Sequence, residues 1–188
     1  MNKESIAFAV AGLIIGFLLG VLVGGKMLGG GATTASSPAQ DAAPLASAVD
    51  VNAKIDEMEK VVAKDSQNVQ AWVALGNAYY DAKSPQKAVQ AYAKALALNP
   101  NDANVLTDQG VMFRALGFFD KAVANFEKAN KLNPQHLQSL YNLGIVYAID
   151  LKQPAKARPV FEKVIRLDKT GELGSQARAI LQQLPAGN

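Results

Sequence analysis

The side chains that catalysis or metal binding requires are nearly absent from this sequence. It contains no cysteine and a single histidine, His136. Without cysteine there is no disulfide framework, no thiolate zinc site and no thiol nucleophile. His136 follows Asn133-Pro134 and reads as a solvated turn residue; one imidazole alone is not a metal site. Carboxylates such as Asp56, Glu57 and Glu59 are scattered along helix faces, with no legible acid–base pair. Gly29-Gly30-Gly31 lacks the strand–turn–helix context of a phosphate loop. The chain therefore reads as a non-enzyme with no metal and no cofactor. From residue 51 onward 17 Lys and Arg face 13 Asp and Glu, without a basic block. That pattern fits a solvated surface of mixed sign and not a nucleic-acid patch. The chemistry left to explain is non-covalent recognition by side chains on helix faces.

A period positions those residues. Gly76, Gly110 and Gly144 recur at one constant interval, each inside a similar apolar word. Trp72, Leu75, Gly76 and Tyr79 fall at i, i+3, i+4 and i+7, one face of a helix. Ala88, Tyr92 and Ala95 give the same stripe on a second helix. Ser84-Pro85 offers a cap and a first-turn proline to that helix. Asn99-Pro100 and Asn133-Pro134 end the second helices, because the residue before proline is biased out of the helical region. Helix pairs of this kind bury their apolar faces only by stacking on one another.

Three units follow the pattern. The first has Trp72, Leu75, Gly76, Tyr79, Ala88, Tyr92, Ala95 and Pro100. The second has Leu106, Gln109, Gly110, Phe113, Ala122, Phe126, Ala129 and Pro134. The third has Leu140, Leu143, Gly144, Tyr147, Ala157, Phe161 and Val164, with Lys169 where the closing proline would fall. This pattern, with its interval of about 34 residues, resembles the tetratricopeptide repeat (TPR) family. The units fall at 69–102, 103–136 and 137–170. The resemblance implies an all-α, right-handed helical solenoid. An opening helix over 51–68 carries Ile55, Met58, Val61 and Val62, and a closing helix lies within 171–188, making eight helices. The third unit is irregular: Gly144 to Ala157 is one position longer than Gly76 to Ala88 or Gly110 to Ala122. We expect the extra residue in Asp150–Pro154 and a bent or irregular N-terminal part of the last second helix, at Pro159.

The resemblance also implies that residues off the packing stripe of each first helix line a concave groove for a protein or peptide partner. Here they are Val73, Asn77, Tyr80, Asp81, Thr107, Val111, Arg114, Tyr141, Ile145, Ala148 and Ile149. Asn77 would bond a partner's backbone, and Arg114 would pair with an acid or a C-terminus. TPRs that clamp chaperone tails are similar only at Asn77. Val73 stands where their groove lysine would be and Val111 where a second asparagine would be.

Residues 6–25 contain no charge. A helix of that length spans about 30 Å, enough for a single-pass transmembrane helix after a short tail at 1–5. Gly12, Gly16, Gly20 and Gly24 recur every fourth residue, a groove for close pairing of membrane helices and hence for a homo-oligomer. Residues 26–50 are rich in Gly, Ala, Ser and Pro and read as a flexible linker. The layout fits a bacterial inner-membrane protein with its repeats in the periplasm. It is similar to the membrane-anchored TPR subunits of cytochrome c maturation, which hold apocytochrome. A structural organiser of a membrane assembly and a cytosol-facing organelle receptor are the other readings.

Overall fold

The computed structural model describes residues 43–185. Over that span the helices are α1 Ala43–Lys64, α2 Val69–Asp81, α3 Pro85–Leu98, α4 Ala103–Ala115, α5 Phe119–Leu132, α6 Leu137–Ile145, α7 Pro154–Leu167 and α8 Glu172–Gln183. α6 runs on as a π-helical turn, Val146–Asp150. Among the described residues, then, the opener, three pairs and closing helix are all present. The expected transmembrane segment 6–25, its four spaced glycines and the linker up to residue 42 lie outside the described residues. Among those described, no helix is long and apolar enough to cross a membrane.

Each first helix starts the same way. Asn68, Asp102 and His136, spaced by the same interval as the glycines, cap α2, α4 and α6 by accepting from a backbone N–H two or three positions on. These bonds satisfy donors that a helix N-terminus leaves unpaired. The lone histidine is therefore a cap and not a solvated turn residue. Its Nδ1 accepts from the Ser139 N–H, so Nε2 carries the proton and donates to Asn104 Oδ1 at 2.8 Å. Ser84 occupies the cap position of α3 but makes no side-chain cap bond; Pro85 opens that helix alone.

Within each pair an aromatic ring packs directly against a glycine. A Cβ at Gly76 would sit 2.4 Å from the Tyr92 ring, one at Gly110 2.6 Å from Phe126, and one at Gly144 2.6 Å from Phe161. The period in the sequence is thus the imprint of a helix–ring contact. The interior forms two clusters. Val62, Leu75, Tyr79, Tyr92 and Met112 build the first; Phe126, Leu143, Val146, Phe161, Val164 and Ala177 build the second. Val111 touches both. This is the nearest-neighbour packing of a stacked repeat.

Three expectations need correction. α1 begins at Ala43, inside the expected linker, since Leu45, Ala46 and Ala48 are strong helix formers and Pro44 suits a first turn. The extra residue of the third unit does not lengthen the loop; it is absorbed as the π-turn, a common form of a one-residue insertion in a helix. α7 is not interrupted at Pro159: it has 14 residues, like α3 and α5. Pro159 and Ala155, whose carbonyl loses its helical partner to the proline, are both exposed.

Candidate functional site

The face formed by α2, α4 and α6 carries two clefts. One, of ≈ 350 Å³, is lined by Lys54, Asn77, Tyr80, Asp81, Tyr92 and Asp108. The other, of ≈ 430 Å³, is lined by Val111, Arg114, Ala115, Gly117, Phe119 and Asp150. A roomier cleft of ≈ 490 Å³ opens elsewhere, between α1, α2 and α3 beside Trp72, Tyr79 and Lys87. It follows the packing seam of the opening helix and is not part of the inner face.

Of the sequence-selected groove residues, Asn77, Tyr80, Asp81, Val111 and Arg114 line these clefts. Ile149 is 55% exposed on the same stripe of the next helix. Two do not belong to the surface. Thr107 is 1% exposed and donates its hydroxyl to the Ala103 carbonyl, and Ala148 is buried in the second cluster. Val73 and Ile145 are half-buried and pack against the two clusters. Tyr141 is half-buried too, its ring edge-on to Phe161 at 6.1 Å between centroids. Burial pushes its hydroxyl pKa up, while the nearby Arg114 pulls the other way.

Asn77 and Arg114 are also less free than expected. Tyr92 donates its hydroxyl to Asn77 Oδ1 at 2.8 Å. Arg114 is held by Asp150, Nε on one carboxylate oxygen and Nη2 on the other. Asp150 sits in the π-turn, so the insertion supplies the carboxylate that occupies the only arginine of α2, α4 and α6.

The sequence reading missed Asp108 and Asp150. Asp108 is half-buried, and desolvation, with a smaller push from Asp102, holds its carboxyl above the usual range. Its signal was available: Asp108, Val111 and Ala115 stand at i, i+3 and i+7, the stripe one residue on from the one chosen through Thr107. In the third unit that stripe reads Asn142, Ile145 and Ile149, and the Asn142 Nδ2 is buried without a hydrogen-bond partner.

Stacked helix pairs with a lined inner face and, among the described residues, no cluster of metal-ligating side chains define a repeat scaffold for recognition. Two family models, each described as tetratricopeptide repeat, match residues 69–102 and 107–172, together just over half of the chain. The chain belongs to the tetratricopeptide repeat family. The type IV pilus assembly protein PilF of Pseudomonas aeruginosa is 29% identical over 114 residues, 60% of this chain but only 45% of that relative's length. A crystal structure of MamA protein superposes with a TM-score of 0.60 at 25% identity, covering 63% of this chain and 64% of the other. The first TPR of Spaghetti (RPAP3), bound to the HSP90 peptide SRMEEVD, shares the fold at 22% identity, with a TM-score of 0.58 over 65% of this chain and 97% of that one.

Proposed function

We propose that this protein is a membrane-tethered TPR scaffold whose inner face holds an extended segment of a protein partner. The observation that carries this reading is the inner face itself. Tyr80, 37% exposed, adjoins a cleft walled by Asp81 and Asp108, and exposed Ile149 continues the face beyond α6. Exposed apolar side chains beside polar clefts suit a bound chain. The charges select its type. Arg114 is already paired in the second cleft, and Lys54 is the cation that lines the first cleft among the described residues, opposite two carboxylates. An acidic tail such as SRMEEVD would meet like charge there, whereas a basic side chain followed by apolar residues meets its complement.

The tether is read from residues 6–25, a bilayer's length of uncharged sequence. Gly12, Gly16, Gly20 and Gly24 would pair two such helices, and the Ala/Ser/Pro-rich tether supports a bacterial inner membrane with the repeats in the periplasm. Alkaline extraction of membranes tests the anchor, and a topology reporter fused after Asn188 tests the side. For the groove, benzoyl-phenylalanine placed at Tyr80 and at Ile149 should crosslink one and the same partner, with the yield lowered by Asp81→Lys. Adducts formed from Gln90 of α3 and none from either groove position would overturn the assignment.

A further inference from the structure

The edge of the stack where each first helix turns into its second carries lysines at positions that disfavour lysine. The turn residue with positive φ is Lys83 (54°) in the first unit, Gly117 (77°) in the second and Lys152 (54°) in the third. That left-handed conformation is costly for a residue with a Cβ, and glycine avoids the cost. Lys87, Lys121 and Lys156 are each the third residue of α3, α5 and α7. That is where the helix dipole and the capping box favour an acid. All five are exposed. Four of the ammonium groups rest above an aromatic ring: Lys83 5.7 Å from Tyr80, Lys87 5.2 Å from Tyr79, Lys121 5.2 Å from Phe118, Lys156 5.4 Å from Tyr147. In the middle unit the turn instead presents Phe118, 51% exposed. Asp81, two residues before Lys83, and Asp120 are the exposed acids interleaved with them; Asp150, near the third turn, is spent on Arg114.

Five lysines held against local preference, flanking an exposed aromatic, are a surface kept for its charge. We propose that this turn edge docks on an anionic lipid bilayer, the lysines on headgroups and Phe118 at the interface. The inference deepens the tethered-scaffold reading and rests on it. Charge complementarity gives the sign of the partner. The same chain carries an uncharged stretch of a bilayer's length at 6–25, on which the tethered reading rests. Docked in this way, the inner face stands open beside the membrane.

The absence of cysteine makes site-specific labelling clean. The full chain, labelled with a fluorophore at Ala155→Cys beside Lys156 or at Leu167→Cys at the far end of α7, is added to phosphatidylcholine vesicles with or without one quarter phosphatidylglycerol, each containing quencher lipid. Quenching at 155 that requires phosphatidylglycerol, with none at 167, is the expected result. Lys83→Gly and Lys152→Gly restore the residue that the middle unit uses; combined with Lys121→Gln they should weaken the quenched state by on the order of 100-fold, about fivefold per lysine. Equal quenching at both labels, no quenching at either, or an unaffected triple variant overturns the proposal. So does a 155 label that ignores these vesicles but is shielded by polyglutamate, which assigns the edge to an acidic protein. Flotation on pure phosphatidylcholine vesicles reads the anchor separately: a chain that fails to float there yet is quenched at 155 with phosphatidylglycerol loses the anchor and keeps the edge.

Discussion

Several side chains in this protein come as matched pairs, and the matching explains the choices at single positions. Where the buried ring has a hydroxyl, Tyr92, its neighbour is Asn77; where the ring is Phe126 or Phe161, the equivalent neighbours are Val111 and Ile145. Tyr79 and Tyr147 donate to Glu59 and Glu127, while the middle unit has Phe113 and Ala93 at those places. Asn77→Val alone should therefore cost about 1–2 kcal/mol, since it strands a buried hydroxyl. Adding Tyr92→Phe should recover most of it, a coupling that a double-mutant cycle of urea unfolding would measure. The Tyr–Glu pairs set an alkaline limit. Burial first, and the glutamate second, push the Tyr79 and Tyr147 hydroxyls from 10 up to about 12. A raised tyrosine stabilises the fold fully below its ordinary pKa of 10 and loses that contribution as pH rises to about 12. Urea midpoints should fall across that window, and less steeply in Tyr79→Phe/Tyr147→Phe. Asp108 follows the same sign in a lower pH window: its raised carboxyl contributes only while protonated and is a cost at neutral pH. Asp108→Asn should raise the urea midpoint at neutral pH, and on the groove reading it should weaken partner crosslinking at Tyr80.

At the level of helices, the ring-on-glycine contact decides what each pair tolerates. Alanine in place of a mid-helix glycine normally gains about 1 kcal/mol. At Gly110 the new Cβ would lie 2.6 Å from Phe126, and overpacking a tight core costs about 1–3 kcal/mol. Gly110→Ala should therefore lower stability, and Phe126→Leu should partly rescue it where separately each change destabilises. This contact is also why the fold was so legible: one steric rule, applied once per repeat, leaves glycine, alanine and aromatic at fixed spacing. The third unit was legible only in part. Counting positions reveals one insertion, but a longer loop and a π-turn have the same count. Only the packing of Tyr147 and Ala148 in the core settles it, with the Gln153 N–H reaching back to the Tyr147 carbonyl six positions earlier where the other units reach back five. The groove was harder still. Thr107 and Asp108 are adjacent and both polar, and a shift of about 100° in the assumed helix phase exchanges a buried hydroxyl for a cleft carboxylate.

Taken whole, the repeat unit is a stack in which stability passes between neighbours, and its far end shows how the stack is closed. Asp168, at the end of α7, accepts from the Gly171 and Gly174 N–H groups and so starts α8. A Cβ at Gly174 would fall 1.7 Å from the Asp168 carbonyl oxygen, so only glycine fits this turn. α8 then lays Leu173, Ala177, Ile180 and Leu181 on the second cluster, and Arg158 ties its end by donating to the Leu184 and Pro185 carbonyls. In a one-dimensional stack, loss of a terminal element is felt most by its neighbour. Truncation before Gly171 would uncover Val164 and Phe161, both fully buried in the intact chain. Amide hydrogen exchange should then speed up by orders of magnitude in α6 and α7, much less in α4 and α5, and least in α2 and α3, whose core is the separate cluster around Tyr92. Gly174→Ala, which leaves every other residue of α8 in place but blocks its start, should give the same gradient in weaker form. Uniform acceleration along all the helices would instead mean that the two clusters unfold as one unit, against the nearest-neighbour picture.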